Sequence, residues 1–225
     1  MEQLSTTMAG WYGKLPALGD FVGRGLPDGF VRPWDDWLAQ SLLHIKREYG
    51  AQADDVLLTF PVWRFVLPRR LLTDQAWLGA LIPSVDRVGR CFPLTVALPL
   101  PEQYGAITAQ HALPVLTSLH LHVDALVKAA LTVLDNDDLE AFGASVAAAS
   151  QQPWDSQVGP MPEKSVTLMQ LLSDIGSRLA SSHLAGETLW WTGELNETPG
   201  VQTPARLFRW PGRLDDALFA RLLEN

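Results

Sequence analysis

A nucleophile needs a base beside it, and the two candidates for a nucleophile in this sequence are Ser84 and Cys91. Ser84 follows Pro83 and stands two residues before Asp86, with no histidine near it in the chain. No G-x-S-x-G elbow surrounds it. A triad can still assemble in space from distant residues, so a hydrolase stays an open reading. Cys91 lies between Arg90 and Phe92. The arginine would lower a thiol pKa, whereas entry into an apolar strand would make it a small core residue. The histidines are His44, His111, His120, His122 and His183. His120 and His122 are two apart, which puts them on different faces of a helix. With no H-E-x-x-H and only one cysteine, neither a metal site nor a cofactor is expected.

Residues 19–25 read GDFVGRG. Phosphate-binding loops aim consecutive backbone N–H groups at the ligand from a helix N-terminus. Here the spacing is G-x-x-x-G-x-G, and the glycines surround Phe21 and Val22, which read as a buried apolar centre. A tight turn is expected, with a small-ligand sensor as the alternative. The paired carboxylates Asp35–Asp36, Asp54–Asp55 and Asp137–Asp138 fall near helix ends or loops, where capping explains them better than acid–base work. Asp86 with Arg87 and Arg90 is different. These charges adjoin Val85 and Phe92, and a charge among apolar groups needs a partner. An ion-paired cluster is expected, reaching Lys14 or Asp20. It is either a network that ties loops together or a ligand site.

Those residues must be held by regular elements. Gly10–Leu15 predicts a short aromatic strand, closed by Pro16. A helix is expected within Asp28–Tyr49, because Phe30, Trp34, Trp37, Leu38, Ser41, Leu42 and Ile45 form one stripe. Asp28 would cap it, Gly50 would end it, and Pro33 points to a regular start nearer Arg32. Val56–Phe60 and Trp63–Leu67 read as strands, Thr73–Leu81 as a short helix, Ser84–Arg90 as approaching a strand and Phe92–Leu100 as a buried strand. Leu113–Leu134 and Asp138–Ser150 read as helices, Gln151–Lys164 as a loop and Ser165–Ser182 as helix. Thr188–Thr192 and Ala205–Trp210 read as strands, and Leu214–Leu223 as a closing helix. This order implies a single α/β domain over residues 1–225. Residues 9–100 form its strand-rich part, and 101–225 carry a helical block, closing strands and a helix. A three-layer α/β/α sandwich with a mixed central sheet is expected, since no regular βαβ alternation is present.

Composition limits the function. The 225 residues are 47% hydrophobic and 19% charged, enough for a substantial core. The net charge of −8 disfavours nucleic acid as a partner, although Arg64, Arg69, Arg70, Arg87 and Arg90 fall in one stretch. A lone cysteine, no signal-peptide pattern and no run long enough to span a bilayer imply a cytoplasmic protein without membrane insertion. Nine tryptophans exceed what one core would hide, so some of Trp11, Tyr12, Trp63, Trp190 and Trp191 are expected at the surface.

Two segments carry a resemblance. GWYGKLPALGDFVGRGLPDGFVRPWDDWL (10–38) has an aromatic-Gly-Lys-x-Pro opening, then Gly-Asp-Phe, then a Trp-Asp-x-Trp-Leu helix. LIPSVDRVGRCFPLTVAL (81–98) contains Pro-Ser-x-Asp-x-x-Gly-Arg-x-Phe-Pro-Leu. Together they resemble the TagF family associated with bacterial type VI secretion, and Leu189-Trp190-Trp191 is similar to a weaker third feature. The signature positions are Trp11, Lys14, Asp20, Phe21, Trp34, Asp35, Trp37, Ser84, Asp86, Arg87 and Arg90, with Trp190 and Trp191. The resemblance implies a post-translational repressor of that secretion system whose partner is a scaffold protein bearing a forkhead-associated domain. It also implies an α/β/α sandwich. Some relatives carry a fused protein phosphatase domain, for which no room is expected after the closing helix, so no enzymatic activity is expected.

Overall fold

The computed structural model describes residues 8–101, 112–135, 138–151, 186–193 and 206–224. Seven strands form one sheet: β1 (Gly10–Gly13), β2 (Val22–Arg24), β3 (Trp63–Leu67), β4 (Trp77–Ile82), β5 (Leu94–Pro99), β6 (Glu187–Trp191) and β7 (Leu207–Pro211). Their order across the sheet is β2-β1-β5-β4-β3-β6-β7. Every pairing is antiparallel, so the expected mixed sheet is corrected. The misreading has a physical cause. Unbroken apolar runs such as β4 usually mark parallel strands covered on both faces. Here an antiparallel meander of β3, β4 and β5 is covered on both faces instead.

The helices are α1 (Asp28–Tyr49), α2 (Ala53–Thr59), α3 (Ala112–Asp135), α4 (Leu139–Ser150) and α5 (Asp216–Leu223). Helix α1 buries the seven residues of the expected stripe. It starts at Asp28, not near Arg32, and its N-cap is Pro27 with no side-chain cap. Pro33 withholds an amide only from Gly29 in the first turn, so the helix survives it. Gly50, at φ 54°, ends it with an N–H bonded to the Lys46 carbonyl. The expected strand at Val56–Phe60 is instead α2, whose first turn carries Asp54 and Asp55 and whose buried residues Ala53 and Leu57 are one helical turn apart.

The expected helix at Thr73–Leu81 is also corrected. Bends precede β4, where all six residues are buried. The i, i+4 apolar spacing fits a helix equally well, and tertiary packing decides between them. Gly79 shows how closely the strands pack: a Cβ there would stand 2.5 Å from the Phe65 ring. Residues 84–90 form a turn with a single bridge, Val85 to Cys91, and not a strand. The loop expected over Gln151–Lys164, beyond its first residue, and the helix over Ser165–Ser182 lie outside the described residues.

Successive strand residues feed two separate cores. On one face Val66, Ala80, Val96, Leu189 and Trp191 pack with Val123 and Leu126 of α3 and Phe142 and Val146 of α4. On the other, Trp63, Phe65, Leu81 and Trp190 pack with Trp34 and Trp37 of α1, Leu57 of α2 and Phe219 of α5. Two cores hold the buried tryptophans among the described residues. Trp11, Trp63, Trp190 and Trp191 are all buried, against the expectation of exposure. Several buried indole N–H groups find acceptors, as buried indoles require. Trp34 donates to Thr95 Oγ1 at 2.8 Å, Trp63 to the Leu222 carbonyl at 2.8 Å and Trp190 to Thr188 Oγ1 at 2.8 Å.

Between the sheet and α3 lies a buried polar group. Arg64 on β3 pairs with Asp124, which also meets Lys128 at 3.2 Å. Trp191 Nε1 donates to His120 Nδ1 at 3.0 Å, which fixes the neutral tautomer with its proton on Nε2. Burial, reinforced by the Arg64 charge, pushes the His120 pKa down to about 3.

Two outcomes follow from this packing. Trp34→Ala removes a fully buried ring and orphans Thr95, and should lower unfolding free energy by about 3–5 kcal/mol in urea titrations. His120 binds its proton in the unfolded chain near its ordinary pKa but not in the folded one, so stability is full above about pH 6.5 and falls as pH drops below it. Between pH 7.5 and pH 5 the loss due to His120 should be about 2 kcal/mol. Denaturant titrations on wild type and His120→Leu check this, the variant giving the flatter profile.

Candidate functional site

The two signature segments meet at the end of β1. Strand β1 pairs with β5 on one side and β2 on the other, so residues 10–24 lie directly beside the chain that enters β5. Gly13, at φ 146°, lets the backbones touch: a Cβ there would stand 2.4 Å from the Pro93 carbonyl oxygen. Three bonds then join the loops. Ser84 Oγ donates to the Lys14 carbonyl at 2.7 Å, Arg87 N to the Leu18 carbonyl at 2.9 Å, and Arg90 Nη2 to the Gly19 carbonyl at 2.7 Å.

Asp86 is the centre. Its side chain is fully buried, and both oxygens are used. Oδ1 accepts from Val88 N at 3.0 Å and Arg90 N at 2.9 Å. Oδ2 accepts from Arg90 Nε at 2.6 Å and meets Lys14 Nζ at 3.0 Å. Burial alone would raise the Asp86 pKa. The Arg90 amide, the Lys14 ammonium, the Arg90 guanidinium and the Val88 amide outweigh it and hold the carboxyl well below the usual range. The expected ion-paired cluster therefore reaches Lys14. Asp20 is outside it, exposed and accepting from the Phe21 amide at 2.8 Å.

An aromatic layer covers the cluster. The Phe21 ring stacks on Tyr12 at 5.7 Å, meets Phe92 edge-on at 4.7 Å and lies over Lys14 Nζ at 5.1 Å. Tyr12 OH donates to Asp35 Oδ1 at 2.7 Å. Burial, then Asp35, pushes the phenol well above its ordinary range. Phe21 was expected to be buried, yet it is 43% exposed. Val88, at the tip of the turn, is 67% exposed.

The remaining signature residues have other places. Trp11 packs against Phe142 in one core, Trp34, Trp37 and Trp190 against one another in the other core, and Trp191 against His120. All five are buried, so they hold the site's frame and cannot themselves touch a partner. Sequence reading missed the Tyr12–Asp35 bond and the exposure of Phe21 and Val88. The glycines beside Phe21 were the available signal, because small neighbours leave a large ring uncovered.

The chemistry of the proposed nucleophiles is equally defined. The Ser84 hydroxyl proton is directed at a backbone carbonyl. Burial, then Asp54, pushes the Cys91 thiol up to about 11. His44 is exposed and pairs with Glu48 at 3.5 Å, while His120 and His122 are buried in α3. Asp138 caps α4 by accepting from Ala141 N at 2.9 Å, and Asp54 and Asp55 stand in the first turn of α2, whereas Asp35 and Asp36 lie within α1, not at a helix end as expected. Among the described residues no His, Cys, Asp and Glu group is arranged to hold a metal ion, and no helix is long and apolar enough to cross a membrane.

Removing the Asp86 carboxylate leaves the buried Lys14 ammonium and two loop amides unmatched. Asp86→Ala should lower the melting temperature by about 5 °C or more, measured by calorimetry. Arg87→Ala, whose side chain stands outside the network, should leave it nearly unchanged.

No curated protein sequence matches this chain. A solved structure, the crystal structure of PA0076 from Pseudomonas aeruginosa PAO1, is similar at 32% identity and a TM-score of 0.64, over 96% of this chain and 93% of that one. Residues 10–149 match the family described as the TagF N-terminal domain, type VI secretion system-associated. That span holds β1 to β5 and both signature segments, and by it the chain belongs to the TagF N-terminal domain family associated with type VI secretion.

Proposed function

We infer that this protein is a post-translational negative regulator of bacterial type VI secretion, working in the cytoplasm by binding a scaffold protein that bears a forkhead-associated domain. One observation carries the reading beyond family membership: the signature residues Lys14, Ser84, Asp86 and Arg90 converge on an internally satisfied network with the exposed Phe21 on its outer side. Lys14, Asp86 and Arg90 meet one another's charges, so the network needs no substrate to complete it. A platform of this kind suits binding, because its side chains are already ordered before a partner arrives. Helices on both faces of the sheet support a three-layer frame beneath it.

A binding protein without catalytic activity agrees with the same geometry. An activated nucleophile needs a lowered pKa or a neighbouring base. The raised Cys91 pKa and the Ser84 bond to a carbonyl point the other way. A phosphate-sensing loop would aim free amides outward. The Phe21 amide is instead turned to the Asp20 carboxylate.

Calorimetry with the purified forkhead-associated scaffold of the same bacterium tests this. Binding with Kd below tens of micromolar is expected, about 6 kcal/mol or more in free energy. Absence of heat at that concentration, together with no co-purification from cells, would count against the scaffold as partner.

A further inference from the structure

The outer side of the Asp86 turn has features that the internal network does not require. Arg87, Val88, Gly89 and Arg90 are all exposed in sequence, and Phe21 is exposed beside them. The Arg90 Nη2 bond to Gly19 fixes that adjacency, and a Cβ at Gly19 would lie 3.4 Å from Arg87 Nη2. Two arginines, a valine and a phenylalanine thus form one ridge.

The ridge is ordered although it is exposed. Phe21 is held by Tyr12, Phe92 and the Lys14 ammonium. Arg90 is held by Asp86 and Gly19. Val88 sits on a turn whose amide is anchored to Asp86 Oδ1. Little further ordering is needed on binding, and pre-ordered Arg and aromatic side chains are the usual anchors of interfaces.

Charge selects the occupant. The chain as a whole carries −8, so an acidic partner is repelled by most of its surface. On the ridge, Arg87 and Arg90 are exposed beside Asp20, while the buried Asp86 is shared between Lys14 and Arg90. The arginines are not equal. Arg90 already uses Nε and Nη2, whereas the Arg87 guanidinium has no ion-pair partner among the described residues. The Arg87 guanidinium fork matches one carboxylate bidentately.

We propose that Phe21, Arg87, Val88 and Arg90 form the docking surface for a segment of the partner protein that carries Asp or Glu side chains beside an apolar one. The carboxylate engages Arg87, and the apolar side chain covers Val88 and the exposed part of Phe21. Electrostatic attraction at this ridge also sets the orientation of the complex. The proposal rests on the scaffold-binding reading above and adds the surface and its chemistry.

The test uses the full chain and the purified forkhead-associated scaffold. Wild type, Arg87→Glu, Val88→Asp and Phe21→Ala are compared at low and high salt, with melting temperatures recorded for each. A photo-crosslinking residue is placed at Val88 and, as a control, at Leu43 on the exposed side of α1, which is 51% exposed. The expected result is wild-type binding that weakens with salt, a loss of about tenfold or more in Arg87→Glu and Val88→Asp at unchanged melting temperature, and crosslinking from position 88 only. Wild-type binding with unaffected variants, or crosslinks from 43 alone, overturns the surface while leaving the scaffold reading intact. Loss of binding after phosphatase treatment of the scaffold overturns the carboxylate assignment. No wild-type binding at all overturns both readings.

Discussion

A sheet that is apolar on both faces must be covered on both faces, and the architecture of this protein follows from that requirement. Strands β3, β4 and β5 offer almost no polar side chain to either face. The helical hairpin of α3 and α4 covers one face, while α1, α2 and α5 cover the other. Polar groups on these strands are met from the covering helices: Thr95 by the Trp34 indole and the Arg64 charge by Asp124, although the buried Arg64 Nε has no hydrogen-bond partner. Burial of an unmatched polar group would cost about as much as a hydrogen bond contributes, so the helices are placed by polar as well as apolar demands.

The signature loops extend that logic to the sheet's edge. Strand β1 sits between β5 and the edge strand β2, and its continuation carries Lys14 under the turn at 84–92. Asp86 then serves two ends. Inside, it neutralises a buried ammonium. Outside, it folds the turn around itself through two backbone amides. Structural rigidity and surface presentation are therefore not competing uses of these residues. The buried ion pair defines where the exposed Arg87, Val88 and Phe21 stand, in the way that buried ionic groups can fix a particular arrangement.

Much of this was legible in the sequence, and the illegible parts share a cause. The α1 stripe was read residue by residue, because a long amphipathic helix has a clear period. The clustering of Asp86 with Lys14 and Arg90 was readable, because charges among apolar neighbours demand partners. Short apolar runs were not: Thr73–Leu81 and Val56–Phe60 exchange helix and strand, since a strand buried on both faces has no alternation to display. The antiparallel direction of the sheet escaped for the same reason. The site's outer face was hidden from sequence because exposure of Phe21 depends on how few atoms its neighbours supply, which only the assembled loops reveal.

Trp190 and Trp191 stand next to each other in the chain and belong to different compartments, one on each side of the sheet. A single-residue slip of β6 would exchange them, taking Trp190 from Trp34 and Phe65 and Trp191 from the His120 imidazole. The same holds for Arg64 and Phe65 on β3, where a slip would press a guanidinium into an aromatic interior. Changes of chain length are thereby confined to the connections between elements, since the strands admit no shift in phase.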